Sequence, residues 1–261
     1  MHNVPTRKFT AMKSPMHGQT TITLFIPCLV DSLYPEVGEA LVRVFDRLGI
    51  ALAYPLGQTC CGQPAFNSGY RREAATLARR FIEVFEDAGV VVCPSGSCVA
   101  MVRQHYPELF RDDSAMLARA IAVGEKTFEF TEYLVNVLDV IDLGAVFPAR
   151  ATYHDSCHLA RTLGIREQPR QLLRRVRDLQ LVEMEGADTC CGFGGTFSVG
   201  YPEISLALAD EKIDAIVRSG ADTVVGCDIS CLMQIQGRMA RRNKNIRVLH
   251  IAQVLAAGEN P

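Results

Sequence analysis

Cysteine is the residue type in this chain whose number and spacing could support chemistry. The 261 residues include ten cysteines, and eight of them form one pattern twice: a single Cys, then Cys-Cys-Gly, then a later Cys. The single Cys and the pair are separated by 31 residues in the first copy and 32 in the second. The first copy contains Cys28, Cys60, Cys61 and Cys98, and the second contains Cys157, Cys190, Cys191 and Cys231. This repetition indicates two copies of one structural unit.

Adjacent cysteines favour metal binding over disulfide formation. Neighbours such as Cys60 and Cys61 make a poor disulfide, but they can offer two thiolates to one polynuclear centre. Their repeated context predicts iron–sulfur ligands rather than buried free thiols, which are otherwise common. Zinc stays open as an alternative in one site, because four thiolates also suit zinc, although its knuckles usually have a Cys-x2–4-Cys spacing.

The residues around the pairs predict a tuned environment for such a centre. Gly62 and Gly192 are expected to remove a Cβ where the backbone passes close to the cluster, and the amides of residues 192–195 are expected to donate to its sulfides. Cys98 and Cys231 fall at predicted helix starts. A lowered thiol pKa is expected there, because the positive end of the helix dipole favours the thiolate.

Two further cysteines and two histidines are weaker candidates. Cys93 and Cys227 are separated from the last cysteine of their copy by four and three residues, so the two copies do not superpose cleanly there. We therefore expect their substitution to be milder than that of the paired cysteines. His154 and His158 flank Cys157, and either could bind the metal or carry a proton; a hydrogen-bonded structural role is favoured for both.

Alternating strands and helices position these residues. Strands are predicted at residues 21–27, 51–55 and 89–92 of the first copy and at 151–154, 181–184 and 222–225 of the second. A strand followed by a short helix is predicted at 127–137 and again at 246–255. Apolar stripes at helical spacing follow each pair, formed by Leu77, Phe81, Val84, Phe85 and Ala88 and by Leu206, Ala209, Ile213, Ile216 and Val217.

This pattern predicts an α/β protein with two pseudo-repeated Rossmann-like halves and mostly parallel sheets. A tail at residues 1–20 precedes a first repeat at 21–141, and a second repeat at 151–261 follows a junction near residues 142–150. Because loops after parallel strands meet at the carboxyl edge of a sheet, the cysteines of each half are expected to converge there.

Composition and charge exclude several classes of function. A net charge of −2 without a long run of one sign argues against nucleic acid as a partner. The longest apolar run, residues 21–30, is about half of what crosses a bilayer, and residues 1–20 lack the apolar core of a secretory signal, so a cytoplasmic location is expected. No dinucleotide fingerprint is present, because the glycines at 192–195 lack the Gly-x-Gly-x-x-Gly spacing.

The two cysteine patterns resemble a known family. Cys28…Cys60-Cys61-Gly62…Cys98 and its second copy are similar to the tandem cysteine-rich CCG domains of heterodisulfide reductase, of the iron–sulfur subunit of glycolate oxidase and of lactate utilization protein A. The resemblance covers the chain from about Thr21 to its end. The segments at residues 94–98, 154–159 and 230–233 make the lactate utilization group the most similar.

The resemblance implies one iron–sulfur centre per repeat, of a [4Fe-4S] type, between the two halves. It implies as ligands the eight cysteines of the repeated pattern, with Cys93 and Cys227 as further candidates. In lactate utilization systems such a chain works with a ferredoxin-like iron–sulfur protein and a further subunit to oxidise L-lactate to pyruvate. The alternatives are a thiol–disulfide reductase like heterodisulfide reductase and a zinc-stabilised scaffold.

Overall fold

Two four-stranded parallel sheets form the frame of the protein. The computed structural model describes residues 21–258; the predicted tail at 1–20 and the last three residues lie outside that range. The first sheet has the order β2-β1-β3-β4 and the second the order β6-β5-β7-β8, with every neighbouring pair parallel. The strands are β1 Ile22–Leu24, β2 Leu52–Ala53, β3 Val91–Cys93, β4 Thr127–Glu129, β5 Val146–His154, β6 Arg177–Leu181, β7 Thr223–Gly226 and β8 Arg247–His250. The predicted α/β fold with two pseudo-repeated halves is confirmed.

Helices connect the strands in both halves, and the described part of the first half has more of them than the second. Those of the first half are Cys28–Leu33, Pro35–Arg47, Gln63–Asn67, Arg71–Phe85, Gly96–Ala100, Tyr106–Leu109, Ser114–Glu125 and Phe130–Glu132. Those of the second half are Glu167–Leu173, Phe197–Gly200, Pro202–Arg218, Ile229–Arg241 and Ile251–Leu255. Three π-helical turns, Met101–His105, Tyr133–Val137 and His158–Thr162, complete the set. No helix within residues 21–258 is long and apolar enough to cross a membrane.

Two predicted segments differ from the structure. The strand predicted at residues 181–184 lies earlier, at Arg177–Leu181, because the backbone leaves the sheet after Val182 and buries Met184 in the core instead. Strand β5 begins at Val146, inside the stretch predicted as a junction. A register shift between Val146 and Ala149 accommodates Pro148, which has no backbone N–H to donate to a sheet ladder.

One apolar core is shared by the two halves. It combines Ile22 and Phe45 of the first half with Tyr153 and Leu255 of the second, all of them fully or almost fully buried. The Arg47 guanidinium completes this packing by donating to the carbonyl oxygens of Leu143, Leu255 and Ala256 at 2.9–3.1 Å. Because the core is continuous, the position of one sheet fixes the position of the other.

The halves also meet at the edge that carries the cysteines. Ser97 donates its backbone N–H to Asp228 Oδ2 at 2.8 Å, and Asp228 is almost fully buried. His250 accepts the Ala252 N–H at Nδ1, so its Nε2 carries the proton and donates to Pro94 O at 3.1 Å. Gly96 packs directly on Leu159. These contacts hold the loop before Cys98 against the second half.

We predict that Gly96→Ala weakens this junction. The new Cβ would lie 2.7 Å from Leu159 Cδ1, 2.8 Å from its Cβ and 3.2 Å from its Cα, so side chain and backbone must both shift. The free energy of unfolding in urea should fall by about 1–3 kcal/mol, as for other overpacked sites. Gly237→Ala is the matched control, because a Cβ on this exposed helix residue meets nothing within 4 Å; it should change stability by about 1 kcal/mol or less. Equal effects would contradict the packing described.

Candidate functional site

The carboxyl edges of the two sheets bring nine of the ten cysteines into two clusters. In each half, the first cysteine follows the first strand of the sheet, the Cys-Cys pair lies in the loop after the second strand, and the last cysteine lies in the helix after the third. All ten are free thiols. The predicted convergence at one edge is therefore what the structure shows.

Five thiols of the first half lie together. Cys61 Sγ and Cys98 Sγ are 3.4 Å apart; Cys28 interacts with Cys60, and Cys93 with Cys98. Cys61, Cys93 and Cys98 are buried, whereas Cys28 is exposed. We call Cys28, Cys60, Cys61, Cys93 and Cys98 the first cysteine cluster.

Four thiols of the second half lie together. Cys191 interacts with both Cys190 and Cys231, and the charge of Cys157 acts on Cys231. We call Cys157, Cys190, Cys191 and Cys231 the second cysteine cluster. Cys227 lies outside it. Its sulfur accepts a hydrogen bond from Tyr153 Oη at 3.2 Å in the core between the halves.

Strand register explains why Cys93 and Cys227 differ. Cys93 precedes Cys98 by five residues, and the residue five before Cys231 is Gly226. The sheets agree, because the residue before Cys93 pairs with β1 as the residue before Gly226 pairs with β5. Gly226 is thus the counterpart of Cys93, and Pro94 is the counterpart of Cys227. Matching Cys93 with Cys227, each as the cysteine before the last of its copy, therefore compares two positions that are not structurally equivalent.

Neighbouring thiols decide the ionisation of the first cluster. Hydrogen bonds from Cys28 and Cys61 lower the pKa of Cys60 to about 3. Hydrogen bonds from Cys61 and Cys93 lower the pKa of Cys98 to about 5. The pKa values of the three donating thiols are raised, that of Cys28 chiefly by its hydrogen bond to Cys60. Two thiolates are therefore stabilised by three thiols, a soft donor set suited to a metal.

The second cluster holds its protons more strongly. The hydrogen bond to Cys191 raises the pKa of Cys190, and burial raises that of Cys157. The hydrogen bond from Cys191 lowers the pKa of Cys231, but burial and the charge of Asp228 outweigh it. The lowered pKa expected at both helix starts is found at Cys98, where neighbouring thiols cause it, and is wrong for Cys231.

The glycines after the pairs have a different role from the one expected. Gly62 and Gly192 both have a positive φ, +87° and +84°. A Cβ on Gly192 would clash with Ser205 O of the helix Pro202–Arg218, so the close approach is to that helix rather than to the cysteine cluster. The turn aims both glycine amides at sulfur: each N–H donates to the first cysteine of its pair, Cys60 or Cys190, at 3.4 Å.

Both clusters fit an iron–sulfur centre. Each offers at least four sulfur donors from three segments of the chain, some buried and some accessible to solvent, and a backbone amide already donates to one sulfur. Thiolate ligands and amide donors are the elements that hold and tune such centres. Zinc also accepts sulfur donors.

His154 is the site residue whose position the sequence did not reveal. One ring nitrogen of His154 and the sulfurs of Cys191 and Cys231 lie within 4.8 Å of one another. Among the described residues, neither ring nitrogen of His154 makes a hydrogen bond of normal geometry, although the Ala187 backbone lies near the ring. His158 differs: it is half-buried, with Nδ1 3.7 Å from Cys157 Sγ and Nε2 3.4 Å from Gln63 Nε2.

We predict that serine substitutions separate the cysteines by cluster. Cys60→Ser should remove the iron of one centre, about four atoms for a [4Fe-4S] cluster, and Cys190→Ser that of the other. Cys93→Ser should weaken the first centre, because Cys93 contacts Cys98. Cys227→Ser is the matched control, equally buried but outside both clusters, and should keep all iron. Iron and sulfide assays on anaerobically reconstituted protein measure this; iron loss in Cys227→Ser would contradict the assignment.

Comparison with known proteins agrees with the repeated architecture. The cysteine-rich CCG domain family matches the chain twice, at residues 22–103 and 151–236. A solved structure of a hypothetical protein from Helicobacter pylori superposes with a TM-score of 0.65 at 10% identity, covering 94% of this chain and 50% of that one. At that identity the likeness concerns the fold alone.

Relatives match the chain over nearly its full length. Lactate utilization protein A of an Exiguobacterium species is 51% identical over 239 residues, covering 91% of this chain and 97% of its own. Lactate utilization protein A of Bacillus subtilis is 48% identical over 234 residues, covering 90% and 98%. The chain therefore belongs to the cysteine-rich CCG domain family, with two copies of the domain, in the group whose curated members are named lactate utilization protein A.

Proposed function

We propose that this chain is an iron–sulfur electron-transfer subunit in the oxidation of L-lactate, or of a similar 2-hydroxy acid, to the 2-oxo acid. The observation that carries the proposal is the pair of sulfur-rich clusters at matching edges of two homologous halves. The names of relatives about half identical over the full chain support the lactate system. A cytoplasmic location is part of the proposal, because free cysteines in such number persist in a reducing compartment.

The proposed ligands follow from the clusters. Cys28, Cys60, Cys61 and Cys98, with Cys93 beside them, would hold one [4Fe-4S] centre in a first repeat at 21–141. Cys157, Cys190, Cys191 and Cys231 would hold a second in a repeat at 151–261. An iron–sulfur centre accepts and donates single electrons. Cys227 is left out, because its thiol is engaged with Tyr153.

Contacts between the cysteine-bearing loops support electron passage between the halves. Gln63, two residues after the first pair, lies 3.4 Å from His158, next to Cys157. Ser68 Oγ and Thr196 Oγ1, beyond the two pairs, are 2.9 Å apart. These contacts support a proposed arrangement in which both centres lie near one shared face. The rigid junction of the loops keeps that arrangement fixed.

The chemistry on the hydroxy acid requires partners. Removing two electrons from a 2-hydroxy acid usually needs a flavin or nicotinamide, and the sequence has no fingerprint that would hold either. We propose a ferredoxin-like iron–sulfur protein and a further subunit as the partners. Val199, Tyr70 and Tyr201 are exposed beside the paired-cysteine loops, and they would contact the iron–sulfur partner there.

A zinc ion in place of the second iron–sulfur centre is the alternative that the position of His154 favours. A histidine beside two cysteines, with Cys157 or Cys190 as a fourth donor, is a set that zinc accepts. The chain would then hold one iron–sulfur centre and one structural metal. Zinc and sulfide content of the reconstituted chain distinguishes the two cases.

We predict that the isolated chain does not oxidise lactate, whereas the chain combined with its partners does. Anaerobic turnover with an artificial electron acceptor measures this, and partners lacking this chain are the control. Lactate-dependent reduction by the isolated chain would contradict the relay role. Disulfide reduction by the isolated chain with a low-potential donor would favour a thiol–disulfide reductase instead.

We also predict that Val199→Lys slows electron transfer from the iron–sulfur partner without iron loss. Val199 is 82% exposed on the face shared by the two cysteine loops, so a charge there opposes an apolar contact. Ile121→Lys is the matched control, because Ile121 is also exposed but lies on the helix Ser114–Glu125. Stopped-flow reduction of the reconstituted chain by its partner is the measurement. Equal electron-transfer rates in Val199→Lys and Ile121→Lys would contradict a partner contact at Val199.

A further inference from the structure

His154 has an arrangement that a structural histidine does not explain. Its side chain is 1% exposed at the end of β5, and among residues 21–258 neither ring nitrogen makes a hydrogen bond of normal geometry, although the Ala187 backbone lies near the ring. Leaving a buried polar group without a partner is costly. A metal, which accepts an electron pair, would satisfy the ring nitrogen that carries the lone pair.

Sulfur donors lie beside this unpartnered nitrogen. The three potential ligand atoms of His154, Cys191 and Cys231 lie within 4.8 Å of one another, which brings the ring into the second cysteine cluster. An imidazole nitrogen is a common metal ligand in proteins.

The two halves carry their additional candidate ligand on different strands of the sheet. His154 is three residues before Cys157, and the residue three before Cys28 is Phe25. Across the sheet, His154 pairs with Gly226, whose counterpart in the first half is Cys93. The first half thus has an apolar residue on the first strand and a thiol on the third. The second half has an imidazole on the first strand and no side chain on the third.

Surrounding contacts fix the histidine in place. Asp155 receives two hydrogen bonds from the Arg170 guanidinium, at 2.9 and 2.8 Å, and donates its backbone N–H to Ala187 O. The fully buried Lys212 donates to Gly186 O at 2.7 Å and to Ala187 O at 3.0 Å, tying the loop before Cys190 to the same place. A ligand to a metal is typically oriented by such supporting contacts.

We propose that His154 is a nitrogen ligand of the metal centre in the second half, in the place that Cys93 fills in the first. The inference rests on the proposed function, which assigns an iron–sulfur centre to each half. The two centres then differ in charge, because a neutral imidazole replaces an anionic thiolate. Histidine in place of cysteine raises the reduction potential of a cluster, so electrons arriving at the first half would move toward the second.

Nitrogen spectroscopy of the full chain tests the ligand directly. The chain is labelled with ¹⁵N-histidine, reconstituted anaerobically, and examined by pulsed EPR in whichever oxidation state makes the second centre paramagnetic. Cys60→Ser, which removes the first centre, isolates the signal. A strong ¹⁵N coupling typical of a directly bound imidazole is expected. A second centre with iron and an EPR signal but no such coupling would overturn the proposal.

Two histidine variants assign the signal. His154→Phe introduces the residue found at the equivalent position of the first half and should abolish the strong coupling. His158→Phe is the matched control, because His158 also lies near a cluster cysteine, and it should keep the coupling. Coupling that survives in His154→Phe and disappears in His158→Phe would overturn the assignment. His154→Cys should retain iron, lose the coupling and titrate at a lower potential than the unsubstituted chain.

Failure of the proposed function has a different signature from failure of this inference. Zinc without sulfide in the Cys60→Ser chain would contradict an iron–sulfur centre in the second half. The ligand role of His154 is then judged on the same protein by its zinc content. Loss of zinc in His154→Phe supports the ligation, and full retention of zinc overturns it.

Discussion

Each half brings several sulfur donors to one point, as the proposed polynuclear metal centre would need, and this grouping depends on the whole architecture. No single loop of this chain supplies more than two of them, so the first cluster draws thiols from the ends of three strands. A parallel sheet meets that requirement, because all its strands end at one edge. The rigid junction, with Ser97 bound to Asp228 and Gly96 against Leu159, then holds one cluster-bearing loop against the other half.

The two halves keep this geometry while their chemistry differs. Both share strand order, the left-handed glycine after the pair and an amide donating to the first paired sulfur. The first cluster stabilises thiolates at Cys60 and Cys98 through neighbouring thiols. The second raises the pKa of its cysteines and brings an unpartnered imidazole to them. Duplication followed by divergence of a few edge residues gives two sites in one frame with different properties.

The sequence was informative where the signal is local or repeated. The duplicated cysteine spacing and the apolar periodicity predicted the two halves, the parallel sheets and the convergence of eight thiols at the carboxyl edge. The sequence did not reveal features that depend on the register between neighbouring strands. Cys93 and Cys227 have similar spacing to the last cysteine, yet their counterparts are Gly226 and Pro94, as the pairing of β3 with β1 and of β7 with β5 shows. The environment of His154 depends on Lys212 and on two distant cysteines, and no local pattern encodes that combination.

The central claim is that both cysteine clusters hold iron and sulfide. The most direct measurement is the iron, acid-labile sulfide and zinc content of the full chain purified without oxygen, with Mössbauer spectra of ⁵⁷Fe-reconstituted protein. Two [4Fe-4S] centres predict about eight irons and about eight sulfides per chain, with zinc near zero. A colourless chain holding stoichiometric zinc and no sulfide after anaerobic reconstitution would contradict the account.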